Sequence, residues 1–137
     1  MQLQILAGIL DVTGTTQIDG TLNFDAGTCN FADDVAVGVG GLFDATGTAG
    51  GSDVNAGGVS FIVNGTTTLG GGDFLMPGAV SELFVNAGGM LTGGAGAITV
   101  DDGINNSGTF TTGAGLLTVD NLSNDKGNGT VASTNTF

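Results

Sequence analysis

Glycine interrupts short runs of alternating apolar and polar residues along the whole sequence, and this pattern constrains the fold more than any other feature. The chain has 28 glycines among 137 residues, and each glycine inside a helix costs roughly 1 kcal/mol relative to alanine. In residues 8–27, GILDVTGTTQIDGTLNFDAG, one parity holds Leu10, Val12, Thr16, Ile18, Leu22 and Phe24, and the other holds Asp11, Gln17, Asp19, Asn23 and Asp25. Alternation of this kind is typical of half-buried strands, so the sequence predicts an all-β protein with glycine at the bends.

The C-terminal half contains an internal repeat, because the segment 89–107 aligns without gaps with the segment 108–126. The aligned apolar pairs are Leu91 and Phe110, Ile98 and Leu117, and Val100 and Val119. A weaker unit precedes them at 72–88, with Phe74 at the first apolar position. A single unit cannot bury its own apolar face, and stacked units can, so a β-solenoid with coils of roughly 17 to 20 residues explains this half of the chain.

The N-terminal third shows a shorter spacing of 12 to 13 residues, which matches Gly8 with Gly20 and Leu10 with Leu22. This step is short for a coil and favours an antiparallel meander or an intertwined trimer. Residues 41–58 form the loosest stretch, and we expect a long loop or an irregular unit there.

These patterns divide the chain into three regions. We expect a short-period β-repeat region at 1–40, an irregular glycine-rich β region at 41–71, and solenoid-like repeats of about 19 residues at 72–137. The predicted fold is all-β, with short-strand repeats that form a β-solenoid or a β-sandwich or meander, completed by oligomerisation. The residues expected to carry the core and the assembly contacts are Leu10, Val12, Ile18, Leu22, Phe24, Ile98, Val100, Phe110, Leu117 and Val119.

The charge is one-sided and excludes several classes of function. Lys126 is the single basic residue against 13 acids, which gives a net charge of −12. Phosphate binding needs Lys and Arg, so we expect no nucleic-acid partner. The chain has no His, and Lys126 is the only possible amine base for a nucleophilic triad, so we expect no enzyme activity and no catalytic residues. No apolar stretch approaches the length of a membrane-spanning helix, and residues 1–10 lack the positive region of a signal peptide.

A few residues suggest other chemistry. Cys29 is alone, and we interpret it as a small buried hydrophobic residue. The acidic turns at 100–108 and 119–129 offer oxygen ligands of the kind that Ca²⁺ prefers. We expect no cofactor and keep Ca²⁺ as the alternative, with candidate ligands Asp101, Asp102, Asp120 and Asp125. Thr66-x-Thr68 and Thr109-x-Thr111 would suit an ice-binding array, but the sequence shows them as isolated pairs. The aligned columns Thr92/Thr111 and Thr99/Thr118 are only two deep, and we interpret these threonines as chance.

The segment LDVTGTTQIDGTLNF resembles the strand repeats of phage tail-fibre, head-fibre and other virion surface proteins. The segment GTFTTGAGLLTVDNLSN is similar to the repeats of bacterial adhesins and autotransporter passenger domains. The resemblance implies a structural virion protein of the capsid-decoration or fibre type, which lies on the virion surface and assembles with itself, as a trimer, and with other virion proteins. The alternative is a secreted adhesin or extracellular filament subunit at the cell surface; a polysaccharide-binding or polysaccharide-cleaving β-helix is a third option.

Overall fold

A computed structural model of the protein describes residues 1–47, 52–58, 60–120 and 130–132. Within these ranges the chain forms short strands and no helix. The strands are β1 (Gln2–Ile5), β2 (Ile9–Val12), β3 (Thr16–Ile18), β4 (Thr21–Phe24), β5 (Gly27–Phe31), β6 (Val35–Val37), β7 (Leu42–Ala45), β8 (Ser52–Ala56), β9 (Ser60–Val63), β10 (Thr66–Leu69), β11 (Phe74–Met76), β12 (Glu82–Val85), β13 (Met90–Thr92), β14 (Ile98–Val100), β15 (Gly103–Asn106), β16 (Thr109–Thr111), β17 (Leu117–Val119) and β18 (Thr130–Ala132).

The strands form a parallel β-solenoid of about five turns. Each coil contributes one strand to each of three sheets. Sheet A runs β1-β4-β7-β10-β13-β16-β18, sheet B runs β2-β5-β8-β11-β14-β17, and sheet C runs β3-β6-β9-β12-β15. Each of the three sheets contains strands from the sequence regions 1–40, 41–71 and 72–137, so a single stack of coils includes all three regions.

The first coil pairs with the second at one constant offset in every sheet, and this offset equals that of the C-terminal repeat. Gln2 pairs with Thr21, Ile9 with Thr28 and Thr16 with Val35. The shorter spacing seen in the sequence does not relate neighbouring coils, because Leu10 lies in sheet B and Leu22 lies in sheet A. The expected antiparallel meander is therefore wrong for the described residues, whose strand pairings are all parallel.

The repeat at the C-terminal side is confirmed. Leu91 pairs with Phe110, and Ile98 pairs with Leu117. The alignment of the preceding unit, 72–88, is wrong. It places Phe74 at the position of Leu91, which lies in sheet A, whereas in the structure Phe74 lies in sheet B and pairs with Ile98.

The middle coils are longer than the others, and the added residues lie at the corners. Thr66 of β10 pairs with Leu42 of β7, and these partners lie further apart in the sequence than Gln2 and Thr21 of the first two coils. The segment 41–58, expected as a loop or irregular unit, contains β7 and β8 in regular parallel pairing, and residues 48–51 of it lie outside the described ranges. Longer corners therefore change the sequence spacing without changing the strand register.

Inward side chains stack in columns and form one core. Phe31, Phe43, Phe61 and Phe74 are buried, and their ring centroids are 5.9, 6.2 and 5.0 Å apart in that order. Edge-to-face and tilted contacts at such distances add to the hydrophobic gain of burying the rings. Cys29 is buried among these columns, as the sequence predicts.

The ten residues expected in the core all face inward or pack against it. Six are buried: Ile18, Leu22, Phe24, Ile98, Val100 and Phe110. The other four, Leu10, Val12, Leu117 and Val119, are partly buried and pack against the buried cluster. Leu10 and Val12 belong to the first coil, which has no described coil before it to cover them.

Paired glycines form the corner between sheets C and A. Gly40 has φ 79° and Gly88 has φ 84°, the left-handed region that glycine enters without strain. The following glycines, Gly41 and Gly89, have no space for a side chain, because an added Cβ would overlap the carbonyl oxygen of Ile18 or of Val63 in the coil below. This corner therefore requires glycine twice, for two different reasons.

Candidate functional site

No described coil covers the first coil of the solenoid on its N-terminal side. The strands β1, β2 and β3 are terminal in their sheets, and each has a single neighbour among the described strands. Half of the backbone N–H and C=O groups of a terminal strand point away from its neighbour, and such an edge is a template for pairing with another strand. Three parallel edges therefore face the same direction around one opening.

The opening leads into apolar space. Leu3, Leu10 and Val12 point toward the interior, and Leu3 is 49% exposed because no described coil covers it. A cavity of about 470 Å³ lies here and extends to Leu22 and Phe31 of the second coil. We call this surface the open end, and define it as the edges of β1, β2 and β3 with the side chains of Leu3, Leu10 and Val12.

A further apolar side chain lines the opening. Met1 is fully exposed and lines the cavity together with Leu3, Leu10 and Val12. Scattered exposed hydrophobic residues are ordinary, whereas an apolar opening beside unpaired strand edges marks an interaction surface. The sequence alternation could not reveal this, because Leu3 looks like any other inward strand residue until the terminal position of its coil is known.

Carboxylates lie on the outside of the same coils, and neighbouring amides hold them. Asn30 Nδ2 donates to Asp11 Oδ1 at 2.6 Å, and Asn55 Nδ2 donates to Asn30 Oδ1 at 2.8 Å. Gln4 and Gln17 donate to Asp25 and Asp19 at 3.0 and 2.7 Å. The open end therefore has an apolar centre and a polar rim, which is the general anatomy of a protein interface.

Asp11 also affects the single thiol. Burial raises the pKa of Cys29 to about 12, and the charge of the nearby Asp11 carboxylate adds to the rise. A thiol with such a pKa stays protonated at neutral pH and is a poor nucleophile. This supports its interpretation as a packing residue.

The candidate calcium ligands lie at corners of the solenoid, where backbone hydrogen bonds hold their main chain. Asp101 and Asp102 follow β14 at the corner before β15, and their backbone N–H groups donate to Met76 O and Ser81 O at 3.1 and 3.3 Å. Asp120 lies one coil further, with its N–H on Val100 O at 3.2 Å. Asp125 lies outside the described residues. In the described ranges no group of three or more His, Cys, Asp or Glu side chains is placed to hold a metal ion.

The sequence showed only part of a surface on the outer face of sheet A, the aligned pair Thr92 and Thr111. The strand register places Thr68, Thr92 and Thr111 in one column, and Thr66, Met90 and Thr109 in the next. The interpretation of Thr66-x-Thr68 and Thr109-x-Thr111 as isolated pairs is therefore wrong, since they occupy the same face two coils apart. The longer sequence offset between Thr66 and Met90 concealed this, because the C-terminal repeat from Met90 to Thr109 is shorter.

A comparison of the chain with protein-family models, with curated proteins and with solved structures finds no match. Among the described residues there is no helix that could cross a membrane.

Proposed function

We propose that this is a structural protein that acts by self-assembly through its open end. The observation that carries the proposal is the coincidence of three unpaired strand edges with an apolar opening in the same coil. A partner that adds strands to the edges and apolar side chains to the opening would cover both features, and neither feature suggests a chemical reaction.

The occupant that fits the open end is a coil of a second copy of this chain. A helix or a loop cannot pair with three strand edges that surround one opening, whereas a solenoid coil presents three edges in the same arrangement. Inward side chains of the added coil would continue the columns that end at Leu3 and Leu10, as Leu22 and Cys29 continue them inside the chain. Burying an exposed Leu side chain fully contributes about 1.5–3 kcal/mol.

The protein's charge sets a condition on this assembly. A net charge of −12 keeps copies apart by repulsion, so association requires a surface whose favourable contacts exceed that repulsion. The amide–carboxylate pairs of Asp11, Asp19 and Asp25 place the acids around the opening rather than in it. Assembly is therefore directed to one end and disfavoured on the outer surface that carries these acids.

The biological setting that we propose is the surface of a virion, where the protein would be a capsid-decoration or fibre component. The resemblance of the N-terminal segment to phage strand repeats supports this setting, and it implies a trimer and attachment to other virion proteins. The trimer requires a second contact besides the open end, since two open ends that meet close as a pair. The alternative is an extracellular adhesin or filament subunit. The two settings differ in the kind of assembly. Contacts between identical surfaces give an assembly of fixed size, as expected for the virion component. Head-to-tail contacts between different ends propagate into filaments, as expected for the filament subunit.

Two substitutions test the assembly surface. Leu3→Asp and Leu10→Asp each place a carboxylate at the open end, and Val80→Asp is the matched control because Val80 is an exposed hydrophobic residue (63%) between β11 and β12. Sedimentation velocity across a range of concentrations should show an oligomer for the wild type and for Val80→Asp. An unpaired carboxylate in an interface costs several kcal/mol, so both open-end variants should be monomers with unchanged far-UV circular dichroism.

A wild type that stays monomeric at high concentration, or a Val80→Asp variant that dissociates as the open-end variants do, would contradict the proposal. Electron microscopy then separates the two settings. Discrete particles of one size support the virion component, and fibres whose length grows with concentration support the filament subunit.

A further inference from the structure

The outer face of sheet A carries threonine on successive coils. Thr66 and Thr68 lie on β10, Thr92 lies on β13, and Thr109 and Thr111 lie on β16. We call these five residues, together with Met90, the threonine face. Met90 takes the position that threonine holds on the coils to either side, since it pairs with Thr66 and with Thr109.

The threonine face carries no charged side chain. None of its six residues is charged, in a protein with a net charge of −12. The adjoining acid on the same sheet is Asp44, which pairs with Thr68. Its carboxylate accepts hydrogen bonds from Thr46 N and Thr46 Oγ1 at 3.0 and 2.7 Å. Asp44 therefore continues the column of Thr68 and borders the uncharged face.

The hydroxyl groups of the face are available to a ligand. Within the described residues, Thr66, Thr68, Thr92, Thr109 and Thr111 make no hydrogen bond through Oγ1 to the protein, while Thr46, Thr16 and Thr112 do. Threonine has few side-chain rotamers because it is β-branched. The hydroxyl and methyl groups are therefore held in place before any ligand arrives, which lowers the entropic cost of binding.

The register makes the array two-dimensional. Neighbouring strands lie about 4.8 Å apart, and alternate residues of one strand lie about 6.6 Å apart along it. The parallel pairing carries both spacings across three successive strands without a shift. A ligand for this face must itself repeat in two directions at these distances.

We propose that the threonine face binds ice. The oxygen atoms on the prism faces of hexagonal ice repeat in two directions at distances close to those of the array, and a crystal surface is uncharged, like the face. A small molecule or a sugar chain is a poorer fit, since such ligands bind in concave sites. The cavities near the N-terminal end are lined by other residues and lie away from this face.

The experiment measures ice recrystallisation and thermal hysteresis with the full chain. Thr92→Lys removes the centre of the array, and Thr99→Lys is the matched control because Thr99 is a half-exposed, outward residue of β14 in the same coil. The wild type should slow recrystallisation and Thr99→Lys should equal it. The long Lys side chain holds the neighbouring threonines away from the ice, so more than one hydrogen bond to ice is lost. Each lost hydrogen bond weakens binding by a factor of about five. Thr92→Lys should therefore need at least about tenfold more protein than the wild type to slow recrystallisation equally.

A second variant is designed to increase the effect. Met90→Thr completes the column between Thr66 and Thr109 and should lower the protein concentration needed. Far-UV circular dichroism verifies that each variant is folded. A folded wild type that leaves recrystallisation unchanged, or equal losses for Thr92→Lys and Thr99→Lys, would overturn the proposal. The open end lies on a different surface, so the monomeric variant Leu3→Asp should retain the activity, and this separates failure here from failure of the assembly proposal.

Discussion

Adjacent alanine substitutions at Gly88 and Gly89 should differ greatly in their effect on the free energy of unfolding. Gly88 has φ 84° and open space around its Cα, so alanine there meets no atom within 4 Å. The cost is the intrinsic strain of the left-handed conformation, about 1–2 kcal/mol. Gly88→Asn should cost less, since asparagine tolerates this conformation better than alanine.

The cost at Gly89 arises from the neighbouring coil. An added Cβ would overlap the carbonyl oxygen of Val63, which accepts a hydrogen bond from Asn86 N at 3.0 Å. Displacement of the corner also stretches the bonds from Gly89 N to Asn86 O at 2.8 Å and from Met90 N to Gly65 O at 2.9 Å. Three weakened hydrogen bonds at about 1 kcal/mol each, with the strain of overpacking, predict a loss of about 3–5 kcal/mol.

Urea unfolding followed by far-UV circular dichroism measures both variants. A chain of 137 residues has a total stability on the order of 7–20 kcal/mol at ordinary values per residue, so Gly89→Ala should shift the midpoint strongly and Gly88→Ala slightly. Hydrogen exchange should localise the effect of Gly89→Ala to β9, β12 and β13, because coils of a solenoid contact only their neighbours. Equal losses for the two variants would refute the argument that the corner needs glycine for two separate reasons.

Three further predictions concern the core. Thr67→Val should raise the free energy of unfolding by about 1–2 kcal/mol, because the buried Thr67 hydroxyl has no hydrogen-bond partner among the described residues; urea unfolding that shows a loss would contradict this. Phe61→Ala should cost at least about 3–5 kcal/mol, since Phe61 contacts the rings of both Phe43 and Phe74, and the half-buried Phe84→Ala, assayed in parallel, should cost clearly less. Burial raises the pKa of Cys29 from 9.0 to about 12, so the folded state keeps a proton that the unfolded state releases. This contribution to stability is complete below pH 9.0 and is lost as the pH rises toward about 12; Cys29→Ala should show a weaker loss than the wild type over that range.

Local patterns in the sequence predict much of this protein. Alternation correctly assigns Ile18, Leu22 and Phe24 to the interior and Asp11 and Asp19 to the outside. These assignments succeed because successive side chains of a strand point to opposite faces, a relation that depends only on near neighbours in the chain. The burial of Cys29 follows from the same alternation.

The coil length of the N-terminal third could not be read in the same way. Gly8 lies between β1 and β2, and Gly20 lies between β3 and β4. Their spacing relates two corners of one coil, whereas the coil itself repeats at the longer offset from Gln2 to Thr21. A coil with three corners presents glycine at several spacings, and strand pairing alone shows which spacing is the repeat.

The sequence by itself determined that this chain forms short strands with one apolar face, bends at glycine, and stacks repeats on its C-terminal side. Only the tertiary structure decided which strands are neighbours. Both the open end and the threonine face depend on which strands are neighbours. Leu3 becomes part of an opening because no described coil covers its own, and Thr68, Thr92 and Thr111 become a column although their spacings in the chain differ. The physical reason is that the direction of a side chain is a local property of the strand, whereas register depends on the length of every corner and on the packing of the coils it joins.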